Sequence, residues 1–300
     1  MKRIKGLNEQ ADYIAYLENI RFQEQEYCPH CGHFNVARKR ENDTIGRWNC
    51  YNCGSSFSVL SGTMFAGTRY PLEDYFEALR LMLISRSSLS SNEMADHLGV
   101  TQRAAYRIQS RIRQEFLREE SFTKLSGVLE ADETYMDIKI GKVAKAGRGA
   151  DKLKVLGIIE RRGKAVVRIV NDVSGATIRR FISESINPDS SVLITDNFKS
   201  YSRVNEIVPH HVITRKQSKF NGGVHTNTIE GFWLHLKRAF RGIHFHYSED
   251  NAPLYLAEAT YKYNHRYASK SKVFYNFLTH SLRVSEMKIQ GTRKPVTRNY

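Results

Sequence analysis

Three acidic positions, at 132, 196 and 230 of the 300 residues, are of the type and spacing that could do chemistry. Asp132 lies in a strand-like run, Val128-Leu129-Glu130-Ala131-Asp132-Glu133-Thr134-Tyr135. Asp196 ends another, Ser191-Val192-Leu193-Ile194-Thr195-Asp196, and Glu230 opens an amphipathic helix, Asn227-Thr228-Ile229-Glu230-Gly231-Phe232-Trp233. Two strand carboxylates and one helix carboxylate can together hold two divalent cations, a recurring solution for in-line attack on phosphodiesters. Such a pair activates the nucleophile and stabilises the leaving oxygen. Mg²⁺ takes few carboxylates because water and substrate oxygens complete its shell, so three acids suffice.

Each position has a competing reading. Side chains alternate along a strand, so Glu130 shares a face with Asp132; Glu130 and Glu133 are the alternatives to Asp132. Asp196-Asn197 also reads as a turn opening after a strand. Asn227 and Glu230, three apart, read equally as a helix N-cap box. Yet Asn227, Glu230, Leu234 and Lys237 fall on one helical stripe, beside a buried stripe of Ile229, Phe232, Trp233, Leu236 and Phe240. That sets a carboxylate for metal and an ammonium for phosphate on one side of the helix. No cysteine remains in this part of the chain for a covalent mechanism, and Tyr135, Ser200 and Tyr201 lack a flanking Arg/His constellation.

The elements that must position these residues follow from periodicity. Strands are expected at 128–136, 153–160, 164–172 and 191–196, with helices at about 175–186 and 227–240. Three strands, a helix, a strand and later helices make an α/β domain with a mixed sheet. Lys139, Lys142, Lys145, Arg148, Lys152 and Lys154, set among Gly and Ala, read as a basic loop for phosphate. His210, His211 and His225 lie near the acidic segments, as DNA contacts or as structural groups.

The first half reads differently. All four cysteines fall in Cys28-Pro29-His30-Cys31 and Cys50-Tyr51-Asn52-Cys53, with 18 residues between the pairs. This spacing is that of a zinc site, with four thiolates on one tetrahedral Zn²⁺. The basic segment between them, Ala37-Arg38-Lys39-Arg40 and then Arg47-Trp48, reads as a hairpin. Pro71 to Ser85 reads as a helix with Leu72, Tyr75, Phe76, Leu79 and Leu83 inward. Ser90 and Glu93 form a capping box, Gly99 supplies a turn, and Thr101 caps a helix with Ala105, Ile108, Ile112 and Phe116 inward. Gln102, Arg103, Arg107, Arg111 and Arg113 occupy its other faces. Helix, Gly turn, basic helix is the helix-turn-helix pattern suited to a DNA groove.

Composition bounds the partners. Lys and Arg outnumber Asp and Glu, 46 to 31, for a formal net charge of +15, which favours a polyanion. No apolar run is long enough for a membrane span, and no apolar stretch follows the charged Met1-Lys2-Arg3-Ile4-Lys5 to make a signal peptide.

These residues together resemble bacterial insertion-sequence transposases of family 1595, ISXO-type proteins with a zinc ribbon and an RNase H-like DDE domain. The matching stretches are CPHCGH, CYNCGSSFSVLSGTMF, EMADHLGVTQRAAY, EADETYM, LGIIE, ITDNFKSY and HTNTIEGFWLHLKR, spanning about residues 7 to 268. The resemblance implies two aspartates, then Asn or Glu, then Lys: Asp132, Asp196, Asn227 or Glu230, and Lys237. The 33 residues between Asp196 and Glu230 match the spacing of related integrases and support Glu230. The implied organisation is an N-terminal helix and zinc ribbon at 1–65, a helix-turn-helix domain at 66–122, an RNase H-like catalytic domain at 123–270 and a C-terminal extension at 271–300.

The resemblance further implies two Mg²⁺ or Mn²⁺ ions, one structural Zn²⁺, terminal inverted repeats and target DNA as partners, and a homo-oligomer on DNA in the cytoplasm, at the nucleoid. Cleavage at the element's ends would free a 3′-hydroxyl that joins target DNA. The competing expectations are a non-catalytic DNA-binding regulator on the same fold and an RNase H-like nuclease without strand transfer.

Overall fold

The computed structural model describes residues 4, 6–23, 25–39, 46–85, 87–120, 123–137, 152–213, 225–242 and 249–283. Contacts group the chain into two compact units. One comprises Met1–Ser85, Ser91–Glu115 and Ala268–Tyr300; the other comprises Arg86–Ser90 and Phe116–Tyr267.

The first unit opens with α1 (Gln10–Phe22), which starts at Glu9 with a reciprocal cap: the Asp12 carboxylate accepts from the Glu9 backbone N–H. A three-stranded antiparallel sheet follows, β1 (Val36–Arg38), β2 (Arg47–Cys50) and β3 (Ser56–Ser58) in that order. The β1–β2 hairpin is the one expected between the cysteine pairs, with Arg38 opposite Trp48. Glu18 of α1 braces it, accepting from the Trp48 indole N–H and from Arg38, each at 3.1 Å.

The four cysteines are free, and their sulfurs lie within 4.8 Å of one another. The Cys28–Cys53 and Cys31–Cys50 sulfurs stand 3.7 and 3.6 Å apart. Four sulfurs at about 2.3 Å from a tetrahedral ion stand about 3.8 Å apart, so the set fits one Zn²⁺. Burial, above all, favours the protonated Cys28 thiol when no cation is present, so metal binding must displace protons here.

α2 (Leu72–Ile84) buries Leu72, Tyr75, Phe76, Leu79 and Leu83, as its periodicity requires. α3 (Ser91–Leu98) ends at Gly99, whose φ of +66° is the left-handed turn that a glycine accommodates. α4 (Gln102–Glu120) is capped by the Thr101 hydroxyl, which accepts from the Ala104 N–H, and it buries Ala105, Ile108, Ile112 and Phe116. Its basic face is narrower than the sequence suggests. Arg113 is buried, and Arg111 donates to the Met64 and Ala66 carbonyls at 2.9 Å. Arg103 and Arg107, one turn apart, remain exposed. The sequence shows five polar side chains off the apolar stripe, but not that two of them are committed to loop and core. Residues beyond 270, read as an extension, begin with α8 (Lys270–Ser281). It contributes Phe274, Phe277 and Leu278 to this unit's core, with Phe274 edge-on to Phe76 at 5.7 Å.

The second unit is an α/β layer structure. Its sheet runs β6 (Ala165–Val170), β5 (Lys152–Glu160), β4 (Leu125–Asp137), β7 (Ile186–Asp196), β8 (His210–Ile213). β5 is antiparallel to both β4 and β6, whereas β7 is parallel to β4 and β8 to β7. This is the mixed sheet expected. α5 (Gly175–Ser185) covers one face, where Leu129, Ala131, Leu156 and Ile158 meet Ile178, Phe181 and Ile182. α6 (Asn227–Gly242) and α7 (Ala252–Asn264) cover the other, where Val155 and Ile159 meet Ile229, Phe232, Trp233 and Leu236. With both faces covered, β5 is apolar without a polar side. Two elements differ from the periodicity reading: β7 starts at Ile186, where helix was expected to end, and β8 forms at the two histidines. Both rely on pairing with neighbouring strands, which local patterns do not encode.

The ribbon geometry carries one expectation. Cys31→Ser should release the bound zinc and lose the β1–β3 sheet, because a sheet this small draws its stability from the metal. Zinc content and protease sensitivity of residues 28–58 measure it; an unchanged zinc stoichiometry would contradict the four-sulfur assignment.

Candidate functional site

The site is organised about β4, where Glu130, Asp132 and Met136 face α6 and α7 while Leu129 and Ala131 face α5. Glu130 is fully buried. Its carboxylate accepts from the Thr228 N–H at 2.9 Å, the Ile229 N–H at 3.0 Å and the Thr228 hydroxyl at 2.9 Å. Arg161 Nε donates to it at 2.7 Å and also donates, through Nη2, to the His225 carbonyl at 2.7 Å. A strand carboxylate thus caps the first turn of α6 and is itself ion-paired. This role uses both oxygens, and it removes Glu130 as an alternative to Asp132 for holding a cation.

The same bonds bear on Asn227 and Glu230. α6 begins at Asn227, so Thr226 precedes it as cap residue, and the free N–H groups of the first turn go to Glu130. The Asn227/Glu230 pair is not an N-cap box. Asn227 and Glu230 are both exposed, and Glu230 accepts only a 3.2 Å bond from the Thr226 hydroxyl among the bonds described. The stripe expected on α6 is present: Leu234 is exposed and Lys237 half-buried, while Ile229, Phe232, Trp233, Leu236 and Phe240 are buried.

Asp132 and Asp196 come from adjacent parallel strands. The register pairs Glu130 with Ile194, and each aspartate lies two residues further on. Asp132 is half-buried and accepts the Trp233 indole N–H at 2.9 Å. Asp196 is exposed, and one of its oxygens accepts the Phe198 N–H at 3.0 Å. The turn reading of Asp196 is therefore correct, and it leaves the second oxygen for other work.

Burial, above all, pushes the Asp132 carboxyl up to about 6; the charges of Asp196 and Glu230 add to this, against the Trp233 bond. The three acids are thus close enough to repel. Their oxygens do not converge as tightly as the cysteine sulfurs, which form the one set of three or more such ligands within 4.8 Å among the described residues.

Glu133 points to the opposite face, where the Tyr201 hydroxyl donates to it at 3.2 Å. Burial, then the charges of Asp132 and Asp196, push its carboxyl up to about 7. Tyr201 is buried, and burial together with these carboxylates drives its phenol well above the ordinary value, so it is no phenolate nucleophile. His210 bonds the Thr195 hydroxyl at 2.8 Å, and His225 lies 3.4 Å from Glu130; both act within the fold. His211 is exposed. Lys139, Lys142, Lys145 and Arg148 of the basic loop lie outside the described residues, and Lys154 donates to the Asn171 carbonyl at 2.8 Å. Sequence reasoning missed Arg161 and the Trp233–Asp132 bond. Arg161 follows β5 whereas Glu130 lies on the neighbouring β4, 31 residues away, so no local pattern signals the first.

Residues 124–264 match the profile described as the ISXO2-like transposase domain, and residues 7–56 match that of the transposase zinc-ribbon domain, both of the IS1595 group. A relative from Halobacterium salinarum strain NRC-1, described as an uncharacterized protein in transposable element ISH50, is 26% identical over 276 residues, covering 85% of this chain and 91% of that one. Among solved structures, the Mos1 transposase paired-end complex with left transposon end is similar at 12% identity and a TM-score of 0.29, over 68% of this chain and 74% of that one. The Mos1 mariner paired end complex with Mn is similar at 12% identity and 0.28, over 72% and 76%. No helix among the described residues is long and apolar enough to cross a membrane.

Two expectations follow from the geometry. Glu130→Ala strands Arg161 and the first turn of α6, and should destabilise the second unit by about 3–5 kcal/mol; urea unfolding followed at Trp233 measures this. A carboxyl raised in the folded state stabilises that state below its unfolded value of about 4.3 and loses the contribution as pH rises through about 7. Without added divalent cation, Glu133→Gln should therefore gain stability relative to wild type between pH 5 and pH 8. A difference that is flat with pH would remove Glu133 from the repelling cluster.

Proposed function

We propose that the chain, a member of the IS1595 transposase family by its two matching domains, holds with Asp132, Asp196 and Glu230 the divalent cations, Mg²⁺ or Mn²⁺, with which it cuts and joins DNA. The observation that carries this is geometric: β4 and β7 pair in parallel, with Asp132 and Asp196 each two residues beyond the Glu130–Ile194 pair. A half-buried carboxyl raised to about 6 by burial and by the charges of Asp196 and Glu230 is the electrostatic state that a bound cation relieves.

When bound, two such ions supply an activated nucleophile and charge for the leaving oxygen. The protein's own part is placement. β4 and β7 bring up the aspartates from adjacent strands, and α6, fixed at its start by Glu130, presents Glu230. Glu230 is the better third ligand because its charge acts on Asp132 and its carboxylate is not spent on capping. Asn227 has neither property and is the alternative. Lys237, two turns along the same stripe, offers an ammonium to a phosphate oxygen as a point charge.

Water attacks the terminal phosphodiester of the element: its oxygen bonds to phosphorus, the P–O3′ bond breaks, and a proton from water passes to the departing O3′, leaving a 3′-hydroxyl and a 5′-phosphate. That hydroxyl then attacks a target phosphodiester, one P–O bond forming as another breaks, so no external energy source is required. The exposed pair Arg103 and Arg107 on α4, and the basic hairpin of the ribbon, supply contacts for the terminal inverted repeats. Residues 1–65 and 66–122 are thus the recognition segments and 123–270 the catalytic one. Pairing of two ends requires a homo-oligomer on DNA.

The test is Mg²⁺-dependent cleavage and joining on linear DNA carrying the ends that flank the protein's own gene. Asp132→Asn and Asp196→Asn should each abolish cleavage, by more than the about 10–100-fold that outer-shell changes cost, while leaving DNA binding intact. Glu230→Gln should match them and Asn227→Ala should not. Cleavage retained in either aspartate variant refutes the assignment, and loss confined to Asn227→Ala transfers the third position to the amide.

A further inference from the structure

We infer that Trp233 is a positioning residue for Asp132, and that Gly157 is the vacancy in β5 that admits it. This rests on the reading of Asp132 as a cation ligand. Gly157 stands opposite Asp132 in the β4–β5 register, on the strand that borders β4. A Cβ at Gly157 would lie 2.5 Å from Cη2 and 2.7 Å from Cζ2 of the Trp233 indole, closer than real Cβ contacts come. The edge of the indole therefore occupies the space a side chain at residue 157 would take, and its N–H meets Asp132 Oδ2 at 2.9 Å. Glycine in the interior of a buried strand is unfavourable by itself and marks a close approach of this kind.

The chemistry of the side chain fits the task. An indole N–H donates and cannot accept, so it fixes one carboxylate oxygen without competing for a cation. Trp233 is 5% exposed and wedged among Ile229, Phe232 and Leu236, so its own rotamer is fixed by packing. It also lies three residues after Glu230, on the next turn of α6. One rigid ring thus ties the strand that carries the first acid to the helix turn that carries the third. Ordinary core packing would require the ring but not the bond, and the two are separable.

The chain has two tryptophans, Trp48 and Trp233. In the full-length protein labelled with 5-fluorotryptophan, titration with Mg²⁺ should move the Trp233 fluorine resonance and leave that of Trp48 in place. Asp132→Asn should abolish the movement. Trp233→Phe keeps an aromatic ring and loses the N–H; it should weaken Mn²⁺ binding, followed by the electron paramagnetic resonance of the free ion, about 10–100-fold. Gly157→Ala, with the indole present but displaced, should weaken it comparably. In the Trp233→Phe background the added cost of Gly157→Ala should shrink, because the atoms it strikes are gone. Wild-type Mn²⁺ affinity in both single variants overturns the positioning role, and so does a still Trp233 resonance where Asp132→Asn abolishes Mn²⁺ binding. If Asp132→Asn itself binds Mn²⁺ as wild type does, the failure lies with the metal-site reading on which the inference rests.

Discussion

The catalytic half depends on one buried carboxylate. Glu130 sits in the central strand, with no solvent to compensate it, and takes donors from the first turn of α6 and from Arg161. The free N–H groups at a helix start need partners, and an anion is the favoured one. Meeting that need from a strand rather than from the local sequence has a positional consequence. It fixes where α6 begins relative to β4, and hence which of its residues reach Asp132. A local cap would have satisfied the same N–H groups but left the helix free to shift along the sheet.

The neighbouring acids show the opposite economy of charge. Glu130 is neutralised by its partners, whereas Asp132, Glu133 and Asp196 gather with no comparable cation among the bonds described. Both situations occur within four residues of one strand. β4 alternates sides, so Glu130 and Asp132 meet α6 while Glu133 meets Tyr201 on the far face. Repulsion among half-buried carboxyls opposes folding. In a protein with a formal net charge of +15, the acids are an island in a basic molecule, suited to a polyanion that arrives with its own counter-ions.

The zinc ribbon of the first unit solves a different problem, that of stability with little core of its own. It places four sulfurs at tetrahedral spacing and leans on α1 through Glu18. Arg21 of α1, buried, donates to the Val59 and Ser61 carbonyls of the loop after the ribbon. The unit is completed from the far end of the chain by Phe274, Phe277 and Leu278. The helix carrying Arg103 and Arg107 is thereby embedded in a body whose core draws on both ends of the sequence.

What the sequence determined by itself is what rests on short-range chemistry. The zinc ligands follow from CxxC spacing, α2, α4 and α6 from apolar periodicity, and the candidate acidic positions from a strand interior, a strand end and a helix start. Each depends on residues within a few positions of one another. The tertiary structure decided the rest. Glu130 and Glu133 could not be separated from Asp132 by pattern, because their partners, Thr228 and Tyr201, lie 98 and 68 residues away. Arg113 looked like Arg103 until burial distinguished them. β8 and the start of β7 needed a neighbouring strand to exist, and α8 needed a core formed by residues some two hundred positions earlier. Gly157 had no meaning until an indole from α6 was packed upon it. Periodicity states which face of an element is buried; only the packed structure states against what.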